Sequence, residues 1–169
     1  MEAEVQELLD KKACEEVLMR YARTLDWLDA EGQSSCFWPD AQVDYGFYSG
    51  DGTGWVECVM DVESASERRW HMSGGLLIRI EGATAHSECY GFTVSMSKAE
   101  DGSCIDHFFG GRYLDELEKR GGEWRISKRR YVLDFNYELP NGLEAVAASG
   151  FNLPVLQIQR PGHADYREL

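Results

Sequence analysis

From Val5 to Leu28 the apolar residues Val5, Leu8, Val17, Leu18, Tyr21, Ala22, Leu25 and Leu28 recur at three- and four-residue spacing, with no Gly or Pro among them. That period predicts a long helix with one apolar stripe. The stretch DAEGQSSCFWPDA follows, with Gly32, two serines and Pro39, and predicts a short second helix that ends before a turn. QVDYGFYSGDGTG reads as a strand running into a glycine-rich turn at Ser49 to Gly54. Helical character resumes in WVECVMDVESASERRWH, with Trp55, Cys58, Val59 and Val62 on one side.

From His71 onward the period drops to two. Leu76, Ile78 and Ile80 alternate with Leu77 and Arg79, as one packed and one wet strand face require. Three turn signals, at Glu81-Gly82, Glu100-Asp101-Gly102 and Arg120-Gly121-Gly122, divide this part into four long segments rich in branched and aromatic residues. Such spacing predicts an antiparallel meander. The final NYELPNGLEAVAASGFNLPVLQIQRPGHADYREL has prolines flanking apolar residues and predicts a short helix plus irregular chain packed across another surface. The expected class is α+β: N-terminal helices packed on a strongly curved antiparallel sheet. A bent sheet with a helix across its concave side leaves a cone that side chains need not fill.

Length and charge narrow the function. A chain of 169 residues fits one domain, residues 1–169, with no repeat or linker to divide it. Lys plus Arg number 17 against 30 Asp plus Glu, a net charge of -13, so the surface repels phosphate backbones and anionic lipid. Neither nucleic acid nor membrane is an expected partner. The N-terminal MEAEVQELLDKK lacks the apolar core of a signal peptide, and the five widely spaced cysteines include no C-x-x-C pair. A cytoplasmic protein with reduced thiols is expected. No H-E-x-x-H, H-x-H or carboxylate triad suggests a metal, and GDGTG lacks the Lys-Ser/Thr of a phosphate loop. The expectation is chemistry without a cofactor.

The chemistry turns on RRWHMSGG, where His71 stands between a tryptophan and a methionine just before an apolar strand. Such an imidazole is either core filling or a base at the bottom of a dry pocket. A base needs a carboxylate to fix its tautomer and stabilise its cation, leaving the other ring nitrogen free to take a proton. Two carboxylates are available near the end of the first helix: Asp26, at the edge of its apolar stripe near Ala22, and Asp29, which is read as a helix cap.

The helix ending RYARTLDWLDAEG, the segment FWPDAQVDYG, His71 heading a strand, and the hairpin GGRYLDELEKRGGEWRISKRR occur in an order that resembles the nuclear transport factor 2-like superfamily, in its SnoaL-like branch. The resemblance covers most of residues 5 to 134 and implies a cone-shaped fold. It further implies that Asp26 orients His71, which removes a proton from a substrate held in the cone. Tyr21 and Tyr45 match tyrosines of the scytalone and bile acid dehydratases, and Arg129 matches a cavity arginine of hexachlorocyclohexane dehydrochlorinase. A second catalytic histidine, present in scytalone dehydratase, has no equivalent here, because His86 is too early and His107 lies on the following strand.

The expected roles follow. Tyr21, Tyr45 and Arg129 would stabilise developing oxygen charge. Tyr90, Phe92, Phe109 and Trp70 are the candidate substrate-binding aromatics, with sheet packing as the alternative for the first three. The expected reaction is loss of water from an apolar, aromatic or polycyclic small molecule. The same base could instead deprotonate a hydroxyl and cleave a carbon–carbon bond in retro-aldol fashion, releasing a small aldehyde. It could also move a double bond by taking a proton from one carbon and returning it to another. The rival class is a non-catalytic binding or assembly subunit, in which the cone is plugged or His71 stands too far from Asp26 to hydrogen-bond. A homo-oligomer, dimer or trimer, is expected through the outer sheet face, with residues 136–169 covering the cavity or the interface.

Overall fold

The computed structural model describes residues 1–151, 153–154 and 161–169. Helix α1 (Glu2–Asp26) has the expected period, but its buried stripe starts only at Asp10 and Cys14 and continues through Val17, Leu18, Tyr21 and Leu25. Val5 and Leu8 in its first turns remain exposed. The short α2 (Ala30–Ser34) is capped by Asp29, whose carboxylate accepts from the Gly32 N–H at 2.9 Å. Strand β1 (Phe37–Asp44) begins five residues before the expected strand, and β2 (Ser49–Gly50) pairs with its end.

The glycine-rich run is not only a turn. Asp51 accepts from the Gly54 N–H at 2.8 Å, so Gly52 and Gly54 form the first turn of α3 (Gly52–Ser64). The buried residues of α3 are Gly52, Trp55, Val56, Val59 and Glu63, whereas Val62 is half exposed. The stripe is therefore rotated from the one expected, and it places a carboxylate on the inner face.

Four long strands follow: β3 (Arg68–Glu81), β4 (Thr84–Lys98), β5 (Cys104–Arg120) and β6 (Glu123–Pro140). They form the expected meander with turns at the three expected places, although β3 starts three residues before His71. The six strands lie in the order β2-β1-β6-β5-β4-β3. The sheet is mixed in one place, since β1 runs parallel to β6. Register shifts between Gly74 and Leu77, Gly110 and Gly111, and Glu116 and Leu117 bend the strands locally.

Glycines keep one patch of the sheet bare. Gly91 and Gly111 are partners across β4 and β5; a Cβ on Gly91 would meet the Tyr113 ring at 2.5 Å, and one on Gly111 the Tyr131 hydroxyl at 2.5 Å. The two aromatic rings can thus lie close over the backbone. Against this inner face pack α1 and α3, burying Leu18, Leu25, Phe37, Trp55, Leu117 and Ile126.

The C-terminal part begins inside the sheet, because residues 136–140 belong to β6. Helix α4 (Leu143–Ala148) buries no residue. Residue 152 and residues 155–160 of the expected covering segment lie outside the described residues. At the chain end Tyr166 returns to the junction between α1 and α2: its hydroxyl donates to Asp29 at 3.0 Å, and its ring stands edge-on to Trp27 at 5.3 Å. Among the described residues no helix is long and apolar enough to cross a membrane.

Candidate active site

Three chain segments deliver three ionisable groups to one point. Helix α1 stops because Leu28 adopts a left-handed backbone (φ 50) and the Asp29 N–H turns back to the Thr24 carbonyl at 2.9 Å, leaving Asp26 as the last helical residue. On β3, alternation sends Trp70 and Met72 outward, each about half exposed, and His71 inward, its side chain 6% exposed. Asp26 grips His71 twice: Oδ1 lies 2.8 Å from Nδ1, and Oδ2 accepts from the backbone N–H at 3.2 Å. From the end of α3, Glu63 places Oε1 3.3 Å from Nε2.

This last contact corrects the sequence expectation, which left the second ring nitrogen free. Glu63 is held there by Arg69. The Arg69 Nε–H donates to the Glu63 carbonyl at 2.8 Å, Nη2 donates to the Ser66 carbonyl at 2.6 Å, and Nε stands 3.9 Å from Glu63 Oε2. Arg69 thereby ties the end of α3 to the strand that carries His71.

Burial opposes a charge on His71, but the hydrogen bonds and negative charges of Asp26 and Glu63 outweigh it and raise its pKa to about 9. Burial pushes Asp26 up, while its bonds to His71 pull it back. The charged form of the ring is thus favoured by an acidic side chain at each nitrogen. A folded pKa above the unfolded value near 6.5 gives stability that is complete below that value and lost as pH rises through about 9, roughly 3 kcal/mol in all. Burial raises Cys14 to about 12 and Cys36 to about 11, so those thiols weaken the fold only above about pH 8.5. Urea unfolding of wild type from pH 6.5 to 8.5 is therefore expected to show a falling stability that His71→Gln lacks; equal slopes would place the imidazole outside a charged clamp.

His71 and Glu63 stand on the wall of a cavity of about 250 Å³. Leu25, Trp55, Val59 and Phe109 make much of the rest apolar, and Phe47 and Val62, both exposed, mark its mouth. Tyr21 and Tyr45 are also on the wall, their hydroxyls 2.6 Å apart, with Trp55 stacked on Tyr45 at 3.9 Å. Burial raises the Tyr45 phenol to about 12 and Tyr21 further, so both remain neutral hydroxyls at pH 7. Thr93 and Ser95 add hydroxyls that the sequence reading passed over; as strand partners, Thr93 lies opposite both His71 and Phe109.

Other sequence candidates fall elsewhere. Arg129 points inward but is not on the cavity wall. It is 1% exposed, forms a two-pronged ion pair with Asp115 at 2.8 and 2.7 Å, and lies under the rings of Tyr21 (4.1 Å) and Tyr113 (4.5 Å). Its charge acts on the cavity from behind the tyrosines, Tyr45 among them. Of the four candidate aromatics, Phe109 lines the cavity. Trp70, Tyr90 and Phe92 occupy the outer sheet face, where Phe92 meets Trp70 and Phe135; this exposed apolar face is the one on which the expectation of self-association rests. Neither His86, which faces Glu81, nor His107, between Ser97 and Glu138, joins the cavity.

Glu63 is the residue sequence reasoning missed. The signal was present: Trp55, Val59 and Glu63 are four residues apart, so a carboxylate continues the buried stripe of α3. Choosing Cys58 and Val62 for that stripe hid it.

Comparison with solved structures gives fold likeness at low identity. A scytalone dehydratase, described as putative, from Novosphingobium aromaticivorans is 16% identical with a TM-score of 0.69, covering 94% of this chain and 97% of that one. A type 2 hexachlorocyclohexane dehydrochlorinase (LinA) is also 16% identical at 0.69, over 82% of this chain and 94% of that one. A nuclear transport factor 2-like protein with a cystatin-like fold, again from Novosphingobium aromaticivorans, is 22% identical at 0.65, over 78% and 86%. No curated protein matches the sequence. The SnoaL-like domain model matches residues 6–130, three quarters of a chain whose helices and curled sheet have the same architecture, and the chain belongs to the SnoaL-like family.

Proposed function

We propose that the protein is a cofactor-free lyase of dehydratase type, in which the His71–Asp26 pair moves the proton that accompanies loss of water from an apolar small molecule. One observation carries this reading: an imidazole braced at 2.8 Å by a buried carboxylate stands on the wall of an apolar cavity. An assembly subunit would need neither the space nor the pair, and a binding subunit would not need the pair. Two of the structural likenesses, a dehydratase and a dehydrochlorinase, are named for eliminations, which supports the class without fixing the substrate.

The cavity restricts the substrate. An apolar void of about 150 Å³ takes benzene, so about 250 Å³ suits one ring with substituents or two compact rings. The hydrogen-bonded Tyr21–Tyr45 pair offers one neutral O–H to a substrate carbonyl, whose oxygen gains charge as the neighbouring carbon loses its proton. Water then leaves the next carbon. Retro-aldol cleavage would begin instead with removal of the hydroxyl proton, and isomerisation would return the carbon proton to another carbon with nothing leaving.

The test is a panel of β-hydroxy carbonyl compounds bearing one or two rings, read by mass spectrometry for products one water lighter. The expected result is elimination by wild type and a rate about 10²-fold lower for Tyr45→Phe. Cleavage to an aldehyde, or a product of unchanged mass with a moved double bond, would replace dehydration by one of the sister reactions. Failure with the entire panel would remove the lyase reading.

A further inference from the structure

His71 has a carboxylate at each ring nitrogen, and counting protons gives that fact a chemical meaning. A neutral imidazole has one N–H and one lone pair. If Nδ1–H is donated to Asp26, a bare Nε2 would set its lone pair against the Glu63 carboxylate 3.3 Å away, a repulsive contact in a buried site. The contact is attractive only with a proton between Nε2 and Oε1. That proton belongs to His71 as imidazolium or to Glu63 as carboxylic acid. In neither case is Nε2 an unoccupied base.

A substrate entering the cavity meets both groups, since Glu63 and His71 are on its wall while Asp26 is behind His71. Building on the lyase reading above, we propose that Glu63 is the base of this site and His71 its acid. Glu63 Oε1 takes the proton from the substrate's acidic carbon, and the electron pair of that C–H bond becomes the new C=C bond. The C–O bond breaks with its pair on oxygen, which takes the Nε2 proton of His71 and leaves as water. Glu63 is then protonated and His71 neutral, its Nδ1–H still on Asp26. Transfer of the Glu63 proton to Nε2 across their direct contact restores the starting state, with no proton drawn from solvent.

The surrounding charges fit this division. Asp26 does not line the cavity and stabilises the imidazolium from behind. Arg69, with Nε 3.9 Å from Glu63 Oε2, holds the Glu63 side chain in place beside the ring. Both groups approach from one side of the cavity, so carbon proton and hydroxyl leave the same face of the substrate.

Two measurements test the assignment. On a substrate that wild type dehydrates, Glu63→Gln is expected to lower kcat by about 10²–10⁴-fold, with Glu63→Asp recovering part of the loss. Nitrogen-15 NMR of the His71 ring needs no substrate: wild type should have both ring nitrogens protonated at pH 7, and Glu63→Gln should titrate at lower pH than wild type. Glu63→Gln turning over at the wild-type rate, while His71→Asn does not, overturns the role of Glu63 and leaves the lyase reading intact. A wild-type ring with Nε2 bare at pH 7 overturns the role of His71 as acid. A wild type that eliminates water from nothing overturns both readings together.

Discussion

Asp26→Asn is expected to lower kcat/KM by about 10³–10⁴-fold while leaving the fold intact, a loss of roughly 4–5 kcal/mol of transition-state stabilisation. The reason lies in the two contacts Asp26 makes. One carboxylate oxygen accepts from the His71 backbone N–H and the other faces Nδ1. Asparagine has a single acceptor oxygen. The backbone N–H cannot change its character, so the oxygen goes there and the amide NH₂ turns to Nδ1, which must then be the bare nitrogen. The ring then holds a single proton, at Nε2, with Nδ1 bare and no carboxylate behind it to stabilise the imidazolium. Steady-state kinetics with circular dichroism as the folding control reads this directly. Near-wild-type activity in Asp26→Asn would make the contact structural.

The second large effect is on stability. Arg129 and Asp115 are almost fully buried, and their two-pronged pair lies between the Tyr21 and Tyr113 rings and the β5–β6 hairpin. Removing the carboxylate in Asp115→Ala leaves a guanidinium in the core without its counter-charge. The expected loss is about 3–5 kcal/mol, enough to lower Tm by roughly 10 °C in a domain of this size. Replacing both partners by apolar residues of similar volume, Asp115→Leu with Arg129→Met, should recover much of it, because the cost arises from the unpaired charge. Thermal unfolding followed by circular dichroism measures both. If Asp115→Ala unfolds like wild type, the pair is solvated in solution.

How much of this was legible follows from the range of each interaction. Local period and turn chemistry are written residue by residue, so α1, the Asp29 cap and the three hairpin turns were readable. Beginnings were less so: the sequence around Gly52 and Gly54 has turn composition, and only Asp51 reaching Gly54 makes it a helix start. The parallel pairing of β1 with β6 joins residues about ninety apart and leaves no local trace. Strand parity failed for a related reason. Trp70, Tyr90 and Phe92 are aromatic whichever face they occupy, and only the pairing of His71 with Thr93 puts them on the side away from the cavity. Asp26 and His71 are far apart in sequence and were joined through family resemblance. Glu63 has no such help, and its helical phase was misjudged by one position.

Arg129 teaches a similar point. Alternation indicated its inward direction, yet not that Asp115 on the neighbouring strand would claim the charge. A buried arginine is a poor guide to a site until its partner is known. What remains for the cavity is a cationic layer behind neutral phenols, which can polarise Tyr21 without placing a formal charge on the wall.

The most direct test of the central claim compares wild type with His71→Asn on one hydroxylated carbonyl substrate, measuring single-turnover water loss and, separately, product affinity. The prediction is comparable binding by both proteins, with water lost by wild type and at least about 10³-fold more slowly by the variant. Equal rates of water loss in the two would contradict it.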